Sequence, residues 1–123
     1  MGTEFVLCVD DSPAMLKLRK SRLEKYGYSV QTALTVSAAI RFLEQDKAAL
    51  VLLEYKHEGM DAEAVAYQIK HRFPRVPIVL MSAYSDMSER ILWLVDEYVM
   101  KSAPLEQLLA TIQRVGHLPA IAA

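Results

Sequence analysis

The sequence predicts a three-layer α/β domain built on a parallel sheet. Two observations predict it. Short apolar runs alternate with amphipathic segments five times along the chain. The first, third and fourth runs are nearly continuous in apolar residues, as strands buried on both faces are. Strict β–α alternation with short connections then requires parallel strands joined by right-handed crossovers. No linker, repeat or low-complexity stretch interrupts the pattern, and 123 residues is the length of one domain.

The elements follow in order. Phe5 to Val9 reads as the first strand. Ser12-Pro13 then offers an N-cap followed by proline at the first helical position. The helix it opens has a broad, imperfect stripe of Met15, Leu16, Leu18, Leu23 and Tyr26, and Gly27 stops it. Ser29 to Ala33 is the second strand, and Val36, Ala39, Ile40 and Leu43 carry the helical spacing of the second helix. Leu50 to Leu53 is the third strand. Ala62, Val65, Ala66 and Ile69, with Phe73 one turn on, mark the third helix. Pro74 and Pro77 bracket the approach to the fourth strand, Ile78 to Met81. Tyr98 to Met100 is the fifth strand. Pro104 opens a last helix on Leu105, Leu108, Leu109 and Ile112, which Arg114 to His117 end. The domain is expected over residues 1–117, with 118–123 a short tail that carries no effector domain.

Composition excludes several classes. At 53% hydrophobic and 24% charged the chain is ordinary for a globular protein. It is long enough to bury about two thirds of its unfolded surface without a staple. The single cysteine, Cys8, excludes a disulfide framework and a Cys-rich zinc site, and reads as a core thiol. A net charge of −1 and a pI near 6.3 give no case for nucleic acid or an anionic membrane. No apolar run approaches the roughly 18 residues of a membrane helix. Met1-Gly2-Thr3-Glu4 lacks the layout of a signal peptide, and Val6 stands where a myristoylation signal has Ser or Thr. The cytoplasm is the expected compartment.

In open α/β sheets, sites form beyond the carboxyl ends of the strands. The residues there are Asp10 and Asp11 after the first strand, Glu54 after the third, Ser82 after the fourth and Lys101 after the fifth. Three acids, a hydroxyl and an ammonium therefore converge on one rim. Three close carboxylates repel and need a cation. A divalent ion held by Asp10, Asp11 and Glu54 is one solution, and Lys101 supplying the charge internally is another. A metal, a lysine and a serine donor also suit a phosphoryl group.

These stretches resemble the receiver domain of two-component response regulators. The resemblance rests on Val9-Asp10-Asp11-Ser12-Pro13, Leu52-Leu53-Glu54 with Gly59-Met60-Asp61, Leu80-Met81-Ser82-Ala83 and Tyr98-Val99-Met100-Lys101. It implies a five-stranded flavodoxin-like sheet of order 2-1-3-4-5. It also implies a bacterial phosphorelay setting. The acidic pair would bind Mg2+ with the backbone carbonyl of Lys56. An acid at position 54 would take phosphate from a histidine kinase, and Ser82 and Lys101 would hold that phosphate. Tyr98 matches the switch aromatic that follows the Ser/Thr inward, the alternative being a fixed half-buried ring.

The departures decide the expected function. Glu54 stands where the family carries the phosphoaccepting Asp. It is one methylene longer, about 1.5 Å of reach, and a misplacement of that size costs on the order of a hundredfold in rate. The longer acid instead brings a negative oxygen toward Ser82 and Lys101, a partial imitation of a phosphorylated Asp. Lys56 is read as an ammonium that pairs with Asp11 or Glu54 and competes with a metal, or as a solvent-facing loop residue. Glu58 replaces a proline and loosens its loop. The interval from Ser82 to Lys101 is short, with Asp96-Glu97 where Gly-Ala is usual, so a short fourth helix is expected. Ser102-Ala103 displaces the proline that usually follows the lysine.

The expected role is a phosphorylation-independent interaction module, not an enzyme. Its partner would be a regulator, a kinase, an output protein or a second copy of this chain. Docking would use the fourth helix, fifth strand and fifth helix, or the basic first helix. The alternative is a working Mg2+-dependent receiver. A phosphatase or flavin carrier is disfavoured, because the acids are adjacent and occupy the place a flavin-phosphate loop would need. Lys17, Arg19, Lys20, Arg22 and Lys25 are read as a solvated face, with an acidic partner's docking patch as the sharper alternative. Trp93 is read as core packing, with a partner anchor as the alternative. His57, His71 and His117 show no metal spacing and are placed at the surface or in loops.

Overall fold

The computed structural model describes residues 4–119. The chain runs β1 (Phe5–Val9), α1 (Pro13–Lys25), β2 (Val30–Ala33), α2 (Val36–Gln45), β3 (Ala48–Glu54), α3 (Ala62–Arg72), β4 (Ile78–Ser82), α4 (Glu89–Leu94), β5 (Glu97–Met100) and α5 (Leu105–Gly116). The five strands form one parallel sheet of order β2-β1-β3-β4-β5, as expected.

Alternation along the central strands builds two cores. Phe5, Leu7, Val9, Val51, Leu53, Ile78 and Leu80 face one side, where Ala39 and Leu43 of α2, Val65, Ala66 and Ile69 of α3 and Ile91 of α4 cover them. Val6, Cys8, Leu50, Leu52, Val79, Met81 and Val99 face the other, under Leu16 and Leu23 of α1 and Leu108 and Ile112 of α5. Every residue of β1, β3 and β4 is buried, which explains their unbroken apolar reading.

Local chemistry sets the helix ends. Ser12 caps α1 by accepting the Met15 amide, with Pro13 at the start. Thr35, Asp61 and Ser88 cap α2, α3 and α4 in the same way. Gly27, at φ 90°, makes the turn out of α1.

Several boundaries differ from expectation. β2 starts at Val30, and β5 starts at Glu97. β3 begins at Ala48, because two alanines carry little apolar signal but sit buried. Glu54 and Ser82 are the last residues of β3 and β4 rather than the first beyond them. Leu18 of α1 is exposed rather than part of the buried stripe.

The fourth helix is short, six residues, as the interval predicted. Asp96 has a role where Gly-Ala was expected. Its carboxylate accepts the Ile78 amide at 2.7 Å and the Lys70 ammonium at 2.8 Å, tying β4 to α3. Leu118 packs against the second core, and its amide donates to the Gln113 carbonyl. The N-terminal residues read for targeting signals, 1–3, and tail residues 120–123 lie outside the described residues. Among the described residues no helix is long and apolar enough to cross a membrane.

Candidate functional site

The sheet register places the chemistry on one edge. Val9 lies beside Leu53, Glu54 beside Met81, and Ser82 beside Met100. Asp10, Glu54, Ser82 and Lys101 therefore end four adjacent strands. Asp10, Glu54 and Ser82 are buried.

Glu54 is held from two sides. Arg19 Nη2 donates to Oε1 at 2.7 Å, and both side chains are almost enclosed, 12% and 6% exposed. Lys101 Nζ lies 2.9 Å from Oε2. That second contact lacks hydrogen-bond alignment, so charge rather than a directed bond joins it. Lys101 reaches the site despite the displaced proline, because its amide is fixed to the Ser82 carbonyl at 2.8 Å.

The acidic pair has its own cation. Lys56 Nζ sits 2.6 Å from Asp10 Oδ1 and 2.7 Å from Asp11 Oδ1. The Ser12 amide donates to Asp10 Oδ1 at 3.1 Å, and the Met60 amide to Asp11 Oδ2 at 2.9 Å. The Lys56 ammonium, with the Met60 amide behind it, holds the Asp11 carboxyl below the usual range. Hydrogen bonds to Asp10 and then to Asp11 hold the Lys56 ammonium above lysine's usual value.

Lys56 therefore pairs with Asp10 and Asp11, not with Glu54 and not with solvent. The loop that Glu58 was expected to loosen is tied at Lys56 and Met60. Gly59 (φ 95°) has no Cβ to strike the Asp11 carboxylate, which lets the loop wrap it.

Ser82 is buried, and its hydroxyl accepts the Tyr84 amide at 2.9 Å. The Tyr98 ring is half-buried, and its hydroxyl donates to the Tyr84 carbonyl, so Ser82 and Tyr98 grip the same loop residue. His57 packs at a tilt against Tyr84, His71 stacks on Tyr67, and both histidines with His117 are exposed. Cys8 is a core thiol, and burial pushes its pKa up to about 12.

Two expectations are corrected. Arg19 does not belong to a solvated face. The buried positions Leu16 and Leu23 flank it at helical spacing, so the α1 stripe that meets the sheet includes it. That stripe was the available signal. Trp93 is not core: it is 86% exposed. Helix α4 is short and sinks Ile91, which leaves Trp93 on the outer side.

Acids, a hydroxyl and a lysine at the carboxyl edge of a 2-1-3-4-5 parallel sheet define a flavodoxin-like domain of the receiver type. The chain belongs to the response regulator receiver domain family, which matches residues 6–113. It is 32% identical over 115 residues to the probable transcriptional regulator ycf27 of Guillardia theta, covering 91% of this chain and 45% of that protein. The chain thus spans about half the length of that relative. Among solved structures, the response regulator TrrA of Thermotoga maritima in complex with Mg2+ and BeF is 30% identical. It has a TM-score of 0.81, over 92% of this chain and 99% of that one. A complex of the histidine kinase ThkA with TrrA is similar at 30% identity and a TM-score of 0.80, over 92% of this chain and 98% of that one. Membership assigns the chain to two-component signalling.

A magnesium ion fits the donor set poorly in this arrangement. Among the described residues no three His, Cys, Asp or Glu side chains are grouped as a metal site. The set Asp10, Asp11 and Glu54 is split, two acids on Lys56 and the third on Arg19 and Lys101. Three carboxylates face three cations, so the site is neutral without an added ion.

Proposed function

We propose that this receiver domain signals by docking, independently of phosphorylation, with Glu54 in the phosphoacceptor position as a fixed charge. The observation that carries this reading is the clamp on Glu54, with Arg19 at 2.7 Å and Lys101 at 2.9 Å. A carboxylate whose two oxygens are both engaged is a poor nucleophile. Its extra methylene also moves it off the line of attack. The same carboxylate gives Lys101 the anionic partner that a phosphoryl group would otherwise supply, with less charge and fewer oxygens.

Ser82 and Tyr98 serve as structural ties in this reading rather than as a phosphate-driven switch. Residues 1–117, with Leu118 packed against the second core, form the docking unit, and the cytoplasm is its compartment. The partner is a kinase, a regulator or an output protein, and the α4–β5–α5 face receives it. Exposed Trp93 supports α4 as part of that surface, because an exposed tryptophan is a frequent anchor. It also borders a groove of about 580 Å³ between α3 and α4, shared with Tyr67, Arg90 and Leu94, so a partner gripping Trp93 reaches toward α3 as well. Lys17, Arg22 and Lys25, all exposed on α1, offer a second, basic surface.

Incubation with acetyl phosphate and Mg2+, read by intact mass, tests the reading. The mass is expected to stay unchanged. A stoichiometric phosphoryl adduct on Glu54 would overturn it in favour of a working receiver.

A further inference from the structure

Asp10 and Asp11 present adjacent carboxylates on a loop that two backbone amides also hold. Their oxygens are nearly all engaged. Asp10 Oδ1 takes Lys56 and the Ser12 amide, Asp11 Oδ1 takes Lys56, and Asp11 Oδ2 takes the Met60 amide. Asp10 Oδ2 is buried and has no hydrogen-bond partner among the described residues. The one cation common to both acids is Lys56 Nζ, at 2.6 and 2.7 Å.

An oxygen-coordinated divalent ion would sit about 2.0–2.6 Å from these same oxygens. It would need the space the ammonium fills, and it would meet that ammonium's charge at contact. We infer that Lys56 is a built-in replacement for a divalent cation, so that this domain neutralises its acidic pair without a metal.

Three features favour the ammonium over a diffusing ion. Lys56 is tethered, so its local concentration is always high. Its backbone is anchored, because the preceding Tyr55 amide donates to the Met81 carbonyl at 2.8 Å. The third acid that could help a metal, Glu54, is committed to Arg19 and Lys101. Lys56 is thus a positioning residue that fixes the β1–α1 loop against the β3–α3 loop. The inference rests on the reading of Glu54 as a held charge, and a separate measurement tests it.

The experiment compares the wild type with Lys56→Gln and Lys56→Arg. Each is titrated with MgCl2 by calorimetry and melted with MgCl2, with EDTA and with NaCl at matched ionic strength. Mn2+ broadening of amide signals near Asp10 and Asp11 locates any bound ion. The wild type is expected to melt at one temperature under all three conditions. Lys56→Gln is expected to gain Mg2+ affinity by about tenfold or more, with Mn2+ broadening centred on Asp10 and Asp11. Lys56→Arg is expected to behave as the wild type.

Mg2+ stabilisation of the wild type equal to that of Lys56→Gln overturns the inference. So does a folded Lys56→Gln that gains no affinity. Should Lys56→Gln fail to fold, the wild-type titration decides: stabilisation by Mg2+ refutes the inference and its absence upholds it. Mg2+ binding by the wild type without a phosphoryl adduct removes this inference alone. An adduct on Glu54 removes the reading of that residue.

Discussion

Replacing Arg19 by Met removes the guanidinium that holds Glu54 while keeping much of the side-chain volume. The two groups meet at 2.7 Å, at 12% and 6% exposure, so solvent screens them little. Their charge centres lie about 4 Å apart, which gives about 4 kcal/mol of attraction at an effective dielectric of 20. Desolvating both ions offsets a large part of this, leaving a net coupling of about 2 kcal/mol. Lys101 still faces Glu54 after the substitution, so Arg19→Met is expected to cost about 2 kcal/mol rather than the 3–5 of a fully orphaned buried charge. For a domain of this length that is a fall of about 6–10 °C in Tm. Glu54→Gln leaves both Arg19 and Lys101 without a counter-charge and is expected to cost more, about 3 kcal/mol. Urea unfolding of both single variants and the double variant closes a thermodynamic cycle. The two losses should sum to about 2 kcal/mol more than the double variant shows. Exposed Arg22→Ala is the control, with an expected change below about 0.5 kcal/mol. A cycle coupling under about 0.5 kcal/mol would falsify the claim that a buried ion pair, rather than packing, joins α1 to the end of β3.

Three further outcomes are expected. Glu54→Asp shortens the acid by one methylene, but Lys56 still fills the cation position, so a measurable acetyl-phosphate adduct with Mg2+ is expected by intact mass in the double variant Glu54→Asp with Lys56→Gln, where Asp10, Asp11, Ser82 and Lys101 remain in place. No adduct in the double variant would mean that more than the acceptor and the cation position has been lost. Asp96→Ala removes the carboxylate shared by the Ile78 amide and Lys70. It should destabilise the domain by about 1–3 kcal/mol in urea, whereas a neutral result would show that solvent replaces both bonds. Cys8 has its pKa raised by burial from an ordinary 9.0 to about 12, so the unfolded thiol ionises first as pH rises. Its contribution is whole below pH 9.0 and is lost between 9.0 and about 12. At about pH 8 the native thiol should resist a disulfide reagent that reacts at once in urea. Equal rates in both states would contradict its burial.

The strands that were easiest to read were those with both faces hidden. Phe5–Val9 and Ile78–Ser82 are buried throughout, so no polar residue was tolerated before the edge. Where alanines replaced larger apolar residues, at Ala48 and Ala49, the strand began earlier than its hydrophobic signal. The acids, the serine and the lysine of the site were legible because strand ends on a parallel sheet share one rim. Arg19 is not legible as a site residue, because a basic helix reads as solvated. Its place between Leu16 and Leu23 was visible in the spacing, but its partner lies 35 positions away. Trp93 reads as core because a tryptophan is more often buried than exposed. A helix of six residues has too little surface to bury both Ile91 and Trp93.

By itself, the order of apolar runs and turn residues determined the parallel sheet, the two-sided core and the rim of charged groups. These follow from periodicity and chain connection, which are properties of neighbours in sequence. Which cation meets which acid was decided only in three dimensions. Lys56 could reach either Asp11 or Glu54 from its position in the chain. It went to Asp10 and Asp11 because Arg19 and Lys101, brought in by α1 and β5, already surround Glu54. Ion pairing depends on distances of a few ångströms between side chains remote in sequence, and only the packed fold sets those distances.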